Sequence, residues 1–283
     1  MTDRYAVIGN PIAHSKSPLI HAAFARETGQ DLDYGRILGD PEDFPGEVRR
    51  FLASGGRGLN VTVPFKEAAF ALAEEHSLAA ASAGAVNTLI LLGDGRLRGD
   101  NTDGVGLVRD LGANHGFAFL GKAVLLVGAG GAARGVLRPL LETGLASLTL
   151  ANRTAARAEE LLAAVAGGGR DLPPLDAGGF AALTGRHFDL IINATSAGLG
   201  GAVPELPADC LAPGGWTYDM LYGDQPTAFC RWGRSHGAVL ALDGLGMLVE
   251  QAAESFWLWR GLRPSTAPVI AALRQGTLSI PAA

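Results

Sequence analysis

The sequence predicts an α/β protein with two domains and mainly parallel sheets. Strand-like and helix-like segments alternate along nearly the whole chain, as expected of strands joined by helical crossovers. A polar run, "GDNTDG", separates two alternating sets. The second set opens with an apolar strand, a glycine turn and a helix start in "KAVLLVGAGGAARGVL".

In the first set, strands are expected over 5–8, 32–38, 58–63 and 86–92, with helices over 18–28, 42–52 and 66–73. Ser17 before Pro18 is a good helix start, with serine as N-cap and proline at the first helical position. The stretch "GDGRLRGDNTDG" holds a Gly-Asp-Gly turn and a short strand before the polar run at 100–103. In the second set, strands are expected over 123–127, 148–151, 190–193, 217–220 and 239–242. Residues 167–185, rich in glycine and proline, read as irregular surface. A long helix over 247–260 follows, and its periodicity fits packing on either domain.

Hydrophobic residues make up 48% and charged residues 18% of 283, a globular balance with room for two domains. A formal net charge of −5 disfavours general affinity for nucleic acid or anionic membranes. Cys210 and Cys230 and the six histidines show no metal-ligand spacing, so no metal is expected. "MTDR" leads straight into "YAVIGN", and no apolar run is long enough to span a bilayer, so a cytoplasmic protein without a leader is expected.

"VLLVGAGGAARGVL" sets Gly128, Gly130 and Ala133 in a GxGxxA pattern, with Gly131 adding a further gap. Between a strand and a helix, that pattern lets backbone approach a pyrophosphate at the helix N-terminus. An NAD site places Asp or Glu roughly 20 residues after the glycines. Here the next strand ends in "NRTAAR", with Asn152, Arg153, Thr154 and Arg157 and no carboxylate before Glu159. Guanidinium groups suit a 2′-phosphate that a carboxylate would repel, so NADP is preferred over NAD. "DLIINATSAG" and "TYDMLY" add Asn193, Thr195, Ser196, Met220 and Tyr222 at further strand ends, where ligands of open α/β sheets lie.

The first domain carries its own polar strand ends. In "NVTVPFKEAAF", Val61 and Val63 alternate with Asn60 and Thr62, giving one apolar face and one hydrogen-bonding face. Lys66 follows where a helix begins, although a helix N-terminus favours acids over cations. In "GNPIAHSKSP" the N-cap reading accounts for Ser17 but leaves Ser15 unexplained. A hydroxyl pair of this kind suits a polyol or carboxylate ligand. Asn87 interrupts "AVNTLILL", and Asp103 closes "GDNTDG". Taken singly, Asn87 reads as a satisfied sheet residue and Asp103 as an N-cap. With Lys66 and a nicotinamide they make a workable proton-transfer site for alcohol–ketone interconversion.

These stretches, with "AGAVNTL", "GDNTDGVG" and "DGLGMLVEQAA", give the chain a nearly end-to-end resemblance to the shikimate dehydrogenase family. The resemblance implies NADPH-dependent reduction of 3-dehydroshikimate to shikimate, in chorismate and aromatic amino-acid biosynthesis. It implies a substrate domain over 1–104, a Rossmann-like NADP domain over 105–244, and a helical segment over 245–283 returning to the first. Lys66 and Asp103 match the family's catalytic pair. Ser15, Ser17, Asn60, Thr62, Asn87, Tyr222 and Gln251 match its substrate contacts. The backbone of Gly128, Ala129, Gly130, Gly131 and Ala132, together with Asn152, Arg153, Thr154, Arg157, Thr195 and Ser196, matches its cofactor contacts. Met220, Gly244 and Met247 match its nicotinamide side. A dual quinate/shikimate dehydrogenase is the nearest rival, and an NADP-binding sensor without turnover is the rival from another class. A monomer and a homodimer both fit.

Overall fold

The computed structural model describes residues 2–166 and 172–279. The chain forms two compact units, one from the chain up to Gly106 with the chain from Leu248 onward, the other Leu107–Met247.

The first unit holds strands β1 (Asp3–Gly9), β2 (Leu32–Leu38), β3 (Gly56–Val61), β4 (Glu75–His76), β5 (Thr88–Leu91) and β6 (Leu97–Asp100). Its helices are α1 (Ser17–Thr28), α2 (Phe44–Ala53), α3 (Lys66–Leu72) and α4 (Leu78–Ala83), and α5 (Asp103–Arg109) starts within it. The strands form a six-stranded sheet in the order β2-β1-β3-β5-β6-β4. The sheet is mixed: β5 runs antiparallel to both β3 and β6. The Gly-Asp-Gly turn explains the β5–β6 pair, because a tight turn can join two neighbouring strands only as an antiparallel pair. On one face Ile8, Leu59, Val61 and Phe65 pack against Phe44, Val48 and Phe51. On the other, Tyr5, Val7 and Tyr34 meet Trp259 from the last long helix.

That helix, α9 (Leu245–Arg260), packs its later turns on the first unit. The Trp259 ring stacks on Tyr5 with centroids 4.6 Å apart, and its Nε1 donates to the Leu89 carbonyl at 3.1 Å. Phe256 meets Phe24 edge-on, and Arg260 pairs with Asp3. Helix α10 (Ala267–Arg274) follows.

The second unit holds β7 (Ala123–Val127), α6 (Gly131–Leu141), β8 (Ser147–Ala151), α7 (Ala155–Ala166), β9 (Leu175–Gly178), β10 (Phe188–Asn193), β11 (Leu211–Asp219), α8 (Ala228–Ser235) and β12 (Leu240–Asp243). Its strands form an all-parallel sheet in the order β12-β11-β10-β7-β8-β9. Read from β9, this is the 3-2-1-4-5-6 order of a Rossmann domain, whose order reverses between β7 and β10. Leu125, Leu126 and Val127 of β7 are fully buried, as the central strand of a covered sheet requires.

Several local expectations change. Residues 175–178 of the segment read as irregular surface form the edge strand β9, and residues 167–171 lie outside the described residues. Strand β3 stops at Val61, so Val63 is 67% exposed instead of sharing an apolar face. Lys16, not Ser17, is the N-cap of α1, so Ser17 is the first helical residue and is buried.

Candidate active site

In the first unit the polar strand ends join into one hydrogen-bonded network. Lys66 is the first residue of α3, whose N-cap is Phe65 without a side-chain cap. Its Nζ lies 2.5 Å from Asp103 Oδ2, and the two side chains are 23% and 10% exposed. The other Asp103 oxygen, Oδ1, accepts from Asn87 Nδ2 at 2.8 Å. Asn87 is itself fixed: its Oδ1 accepts from the Thr102 amide at 3.0 Å and from Thr88 Oγ1 at 2.9 Å. Asp103 therefore has one oxygen committed to the protein and one to Lys66. A carboxylate held in this way orients a lysine without swinging after it.

The network continues inward. Ser255 of α9 is fully buried and accepts from Asn60 Nδ2 at 2.9 Å. Its Oγ also lies 2.9 Å from Thr88 Oγ1 and donates to the Gln251 carbonyl at 3.1 Å. Gln251 Oε1 accepts from Thr102 Oγ1 at 3.4 Å. Asn60 Oδ1 accepts from the Tyr34 hydroxyl at 2.6 Å, and burial pushes that phenol well above the usual tyrosine range. The Asn60 amide is thus engaged on both its oxygen and its nitrogen within the protein.

Ser15 lies between β1 and α1, and Ser17 opens α1. Ser15 Oγ accepts from the Ser17 amide at 3.3 Å, in place of the N-cap expected of Ser17. Thr62 follows β3, its amide donating to Ile8 and its carbonyl accepting from Phe65. The structure thus joins Lys66, Asp103, Asn87 and Asn60 by direct hydrogen bonds, brings Gln251 in through Thr102 and Ser255, and sets Ser17 beside the Tyr34 hydroxyl. Thr102, Ser255, Thr88 and Tyr34 were missed by the sequence reading. Two of them had a signal: Thr102 adjoins Asp103, and Ser255 sits four residues after Gln251 on the same helix face.

In the second unit, Gly128 follows β7 with φ of +114°, a region L side chains rarely adopt. A Cβ there would come within 3.1 Å of the Ala194 backbone and Thr195 Cγ2, which follow β10. The glycine therefore lets the two chains meet at the sheet's switch point. Gly130 caps α6 without a side-chain bond, and a Cβ on Gly130 or Gly131 would meet nothing within 4 Å. Ala129 and Ala132 are half-buried against the core, and Ala133 is fully buried. The start of α6 thus presents open backbone amides, the cradle a pyrophosphate needs.

At the end of β8, Asn152 Nδ2 donates to the Thr154 carbonyl at 2.9 Å, shaping the turn that carries Arg153. Arg153, Thr154 and Arg157 are exposed. Neither guanidinium has an ion-pair partner among the described residues, so two uncompensated cations flank the next strand end. This donor set fits a 2′-phosphate. Asn193 Oδ1 accepts from the amide and hydroxyl of Thr195, and Asn193 Nδ2 donates to Asp219. Ser196 is exposed beside them. Gly244 packs so closely that a Cβ would lie 2.3 Å from the Met220 carbonyl. Met247 is buried in the core of this unit, and Tyr222 is half-buried, with its phenol pushed up by burial.

Reversible oxidation of an alcohol needs a place for a dinucleotide and a side chain that can hand over one proton. The Rossmann unit offers the first and the Lys66–Asp103 pair the second, which defines a nicotinamide-dependent dehydrogenase. The family profile described as shikimate dehydrogenase substrate binding domain matches residues 7–89. Those described as shikimate / quinate 5-dehydrogenase and as shikimate 5′-dehydrogenase C-terminal domain match 112–199 and 244–274. The chain is 61% identical to the shikimate dehydrogenase (NADP+) of Alkalilimnicola ehrlichii, covering 97% of this chain and 99% of that one. A crystal structure of an Ael1 enzyme from Pseudomonas putida superposes with a TM-score of 0.89 at 46% identity, covering 99% of both chains. The Thermus thermophilus shikimate 5-dehydrogenase, solved with NADP(H) and shikimate, gives 0.84 at 34% identity over 97% of this chain and 99% of that one. The chain belongs to the shikimate dehydrogenase family.

Proposed function

We propose that Lys66 and Asp103 carry the proton transfer of the family's reaction, the reversible NADPH-dependent reduction of 3-dehydroshikimate to shikimate. The observation that carries this reading is the short Lys66–Asp103 contact, with the second carboxylate oxygen held by Asn87. When bound, NADPH supplies the hydride that converts the ketone carbon to a carbinol. In that direction Lys66 Nζ gives a proton to the substrate oxygen as it gains charge, and in the reverse direction it takes one. Asp103 Oδ2 orients the ammonium and binds a ring hydroxyl. Asn87 prevents the carboxylate from rotating away.

Ser15, Ser17, Thr62 and Gln251 hold the remaining substrate groups, and Tyr222 is a further substrate contact. Asn60, whose amide is engaged on both sides, acts by fixing Asn87, Thr88 and Ser255 in place. The backbone of 128–132 takes the pyrophosphate, and Asn152, Arg153, Thr154 and Arg157 the adenosine phosphate. Thr195, Ser196, Met220, Gly244 and Met247 form the nicotinamide side, Met247 as a buried support. No helix of the described residues is long and apolar enough to cross a membrane, and a cytoplasmic monomer or homodimer is the setting we propose.

The test is absorbance at the nicotinamide band, with shikimate or quinate each supplied with NADP⁺ or NAD⁺. Fast turnover only with shikimate and NADP⁺ is expected. Comparable turnover with quinate or NAD⁺ would contradict the specificity reading. Cofactor binding without turnover in any combination would contradict catalysis.

A further inference from the structure

Arg36 is an exposed residue of the edge strand β2, and among the described residues no carboxylate pairs with it. Its guanidinium instead closes on one backbone carbonyl. Nε and Nη2 donate to the oxygen of Ser15 at 3.1 and 2.6 Å. The remaining groups of Ser15 are nearly all committed too. Its amide donates to the Ile12 carbonyl at 3.0 Å, and its Oγ accepts from the Ser17 amide at 3.3 Å. Among the described residues the hydroxyl proton of Ser15 is left to donate, so the pinned turn can serve an acceptor such as a carboxylate oxygen. Two residues earlier on the same strand face, Tyr34 fixes Asn60. One face of β2 therefore supports both the Ser15–Ser17 turn and the Asn60 network.

We infer that Arg36 is a positioning residue for the carboxylate arm of the substrate. It locks the Ser15–Ser17 turn through the Ser15 carbonyl and leaves its positive charge uncompensated beside that turn. This rests on the reading that Ser15 and Ser17 bind substrate. The fork needs a planar guanidinium, so lysine can replace the charge but not both bonds.

The experiment measures steady-state kinetics of the full chain with NADP⁺ for Arg36→Ala, Arg36→Lys and, as a benchmark, Ser15→Ala. Shikimate and its methyl ester, which lacks the negative charge, are the two probes. Arg36→Ala is expected to raise KM for shikimate about tenfold, the scale of one lost hydrogen bond to a charged group. Its kcat and its KM for NADP⁺ stay within twofold of the parent, roughly the scatter of a site with no direct contact. Arg36→Lys falls between the parent and the alanine variant, and the effect largely disappears with the ester. An unchanged KM in Arg36→Ala beside a raised KM in Ser15→Ala overturns the inference and leaves the substrate reading standing. An equal rise for acid and ester reduces Arg36 to a general loop support and overturns it as well. If Ser15→Ala also leaves KM unchanged, the substrate reading fails and the inference falls with it.

Discussion

His21, on the inner face of α1, shows how much polar strain the first unit carries in its core. The ring is fully buried, stacks on Tyr34 with centroids 4.1 Å apart, and neither nitrogen makes a geometrically sound hydrogen bond among the described residues. Burial lowers it from the usual 6.5 to about 3, and the nearby Asn60 side chain opposes this only in part. The folded state thus holds the ring neutral while the unfolded chain protonates it near pH 6.5. Stability from this group is complete above pH 6.5 and is lost as pH falls from 6.5 towards 3. The loss approaches about 1.4 kcal/mol per pH unit within that window. His21→Phe keeps a stacking ring and removes both orphan nitrogens. Denaturant unfolding between pH 7 and 4 should show a flatter decline for the variant than for the parent, and parallel curves would refute this reading of His21.

Among the elements, the start of α6 is set by its glycines. Alanine at Gly128 would be strained at φ of +114° and would press on the Ala194 backbone. Gly128→Ala should cost roughly 1–3 kcal/mol of stability and weaken NADP⁺ binding by about tenfold or more. Thermal melting and a fluorescence titration of cofactor check the two parts. A variant with the parent's affinity would show that the close approach is not needed for the cofactor. Elements with strong local signals were legible: β2 and β7 run over the residues their apolar patterns mark. Strand β9 was not, because four residues ending in glycine at a sheet edge carry little alternation. Helix α4 was overlooked although Ser77 caps it at 3.1 Å and Gly84 ends it at φ of 59°. Its six residues are too short to show a helical period.

For the whole molecule, the chain's return to its first unit is the central architectural fact. Phe256 and Ser255 are fully buried there, and Trp259 covers Tyr5 and Gly58. A chain ending at Met247 should keep hydrogen-exchange protection in the Rossmann unit and lose it in β1, β3 and β5. Undiminished protection in those strands would mean that the first unit folds without α9. Periodicity alone left the partner of α9 open, because an amphipathic pattern does not name the surface it meets. The site was legible to differing depths for a similar reason. Lys66 stood out because a cation is misplaced at a helix start, and the glycine turn because its spacing has a mechanism. Ser255 and Tyr34 looked ordinary because their roles arise from contacts 195 and 26 residues away in sequence.

The most direct test of the proposed chemistry is the steady-state kinetics of Lys66→Ala with shikimate and NADP⁺. Lys66 is half-buried and, among the described residues, bonds only Asp103 through its side chain, while Asn87 still holds that carboxylate, so the variant should fold. If Lys66 moves the proton, kcat falls by about 10²–10⁴-fold while KM for shikimate changes only severalfold. A large rise in KM with kcat intact would make Lys66 a binding residue and contradict the account.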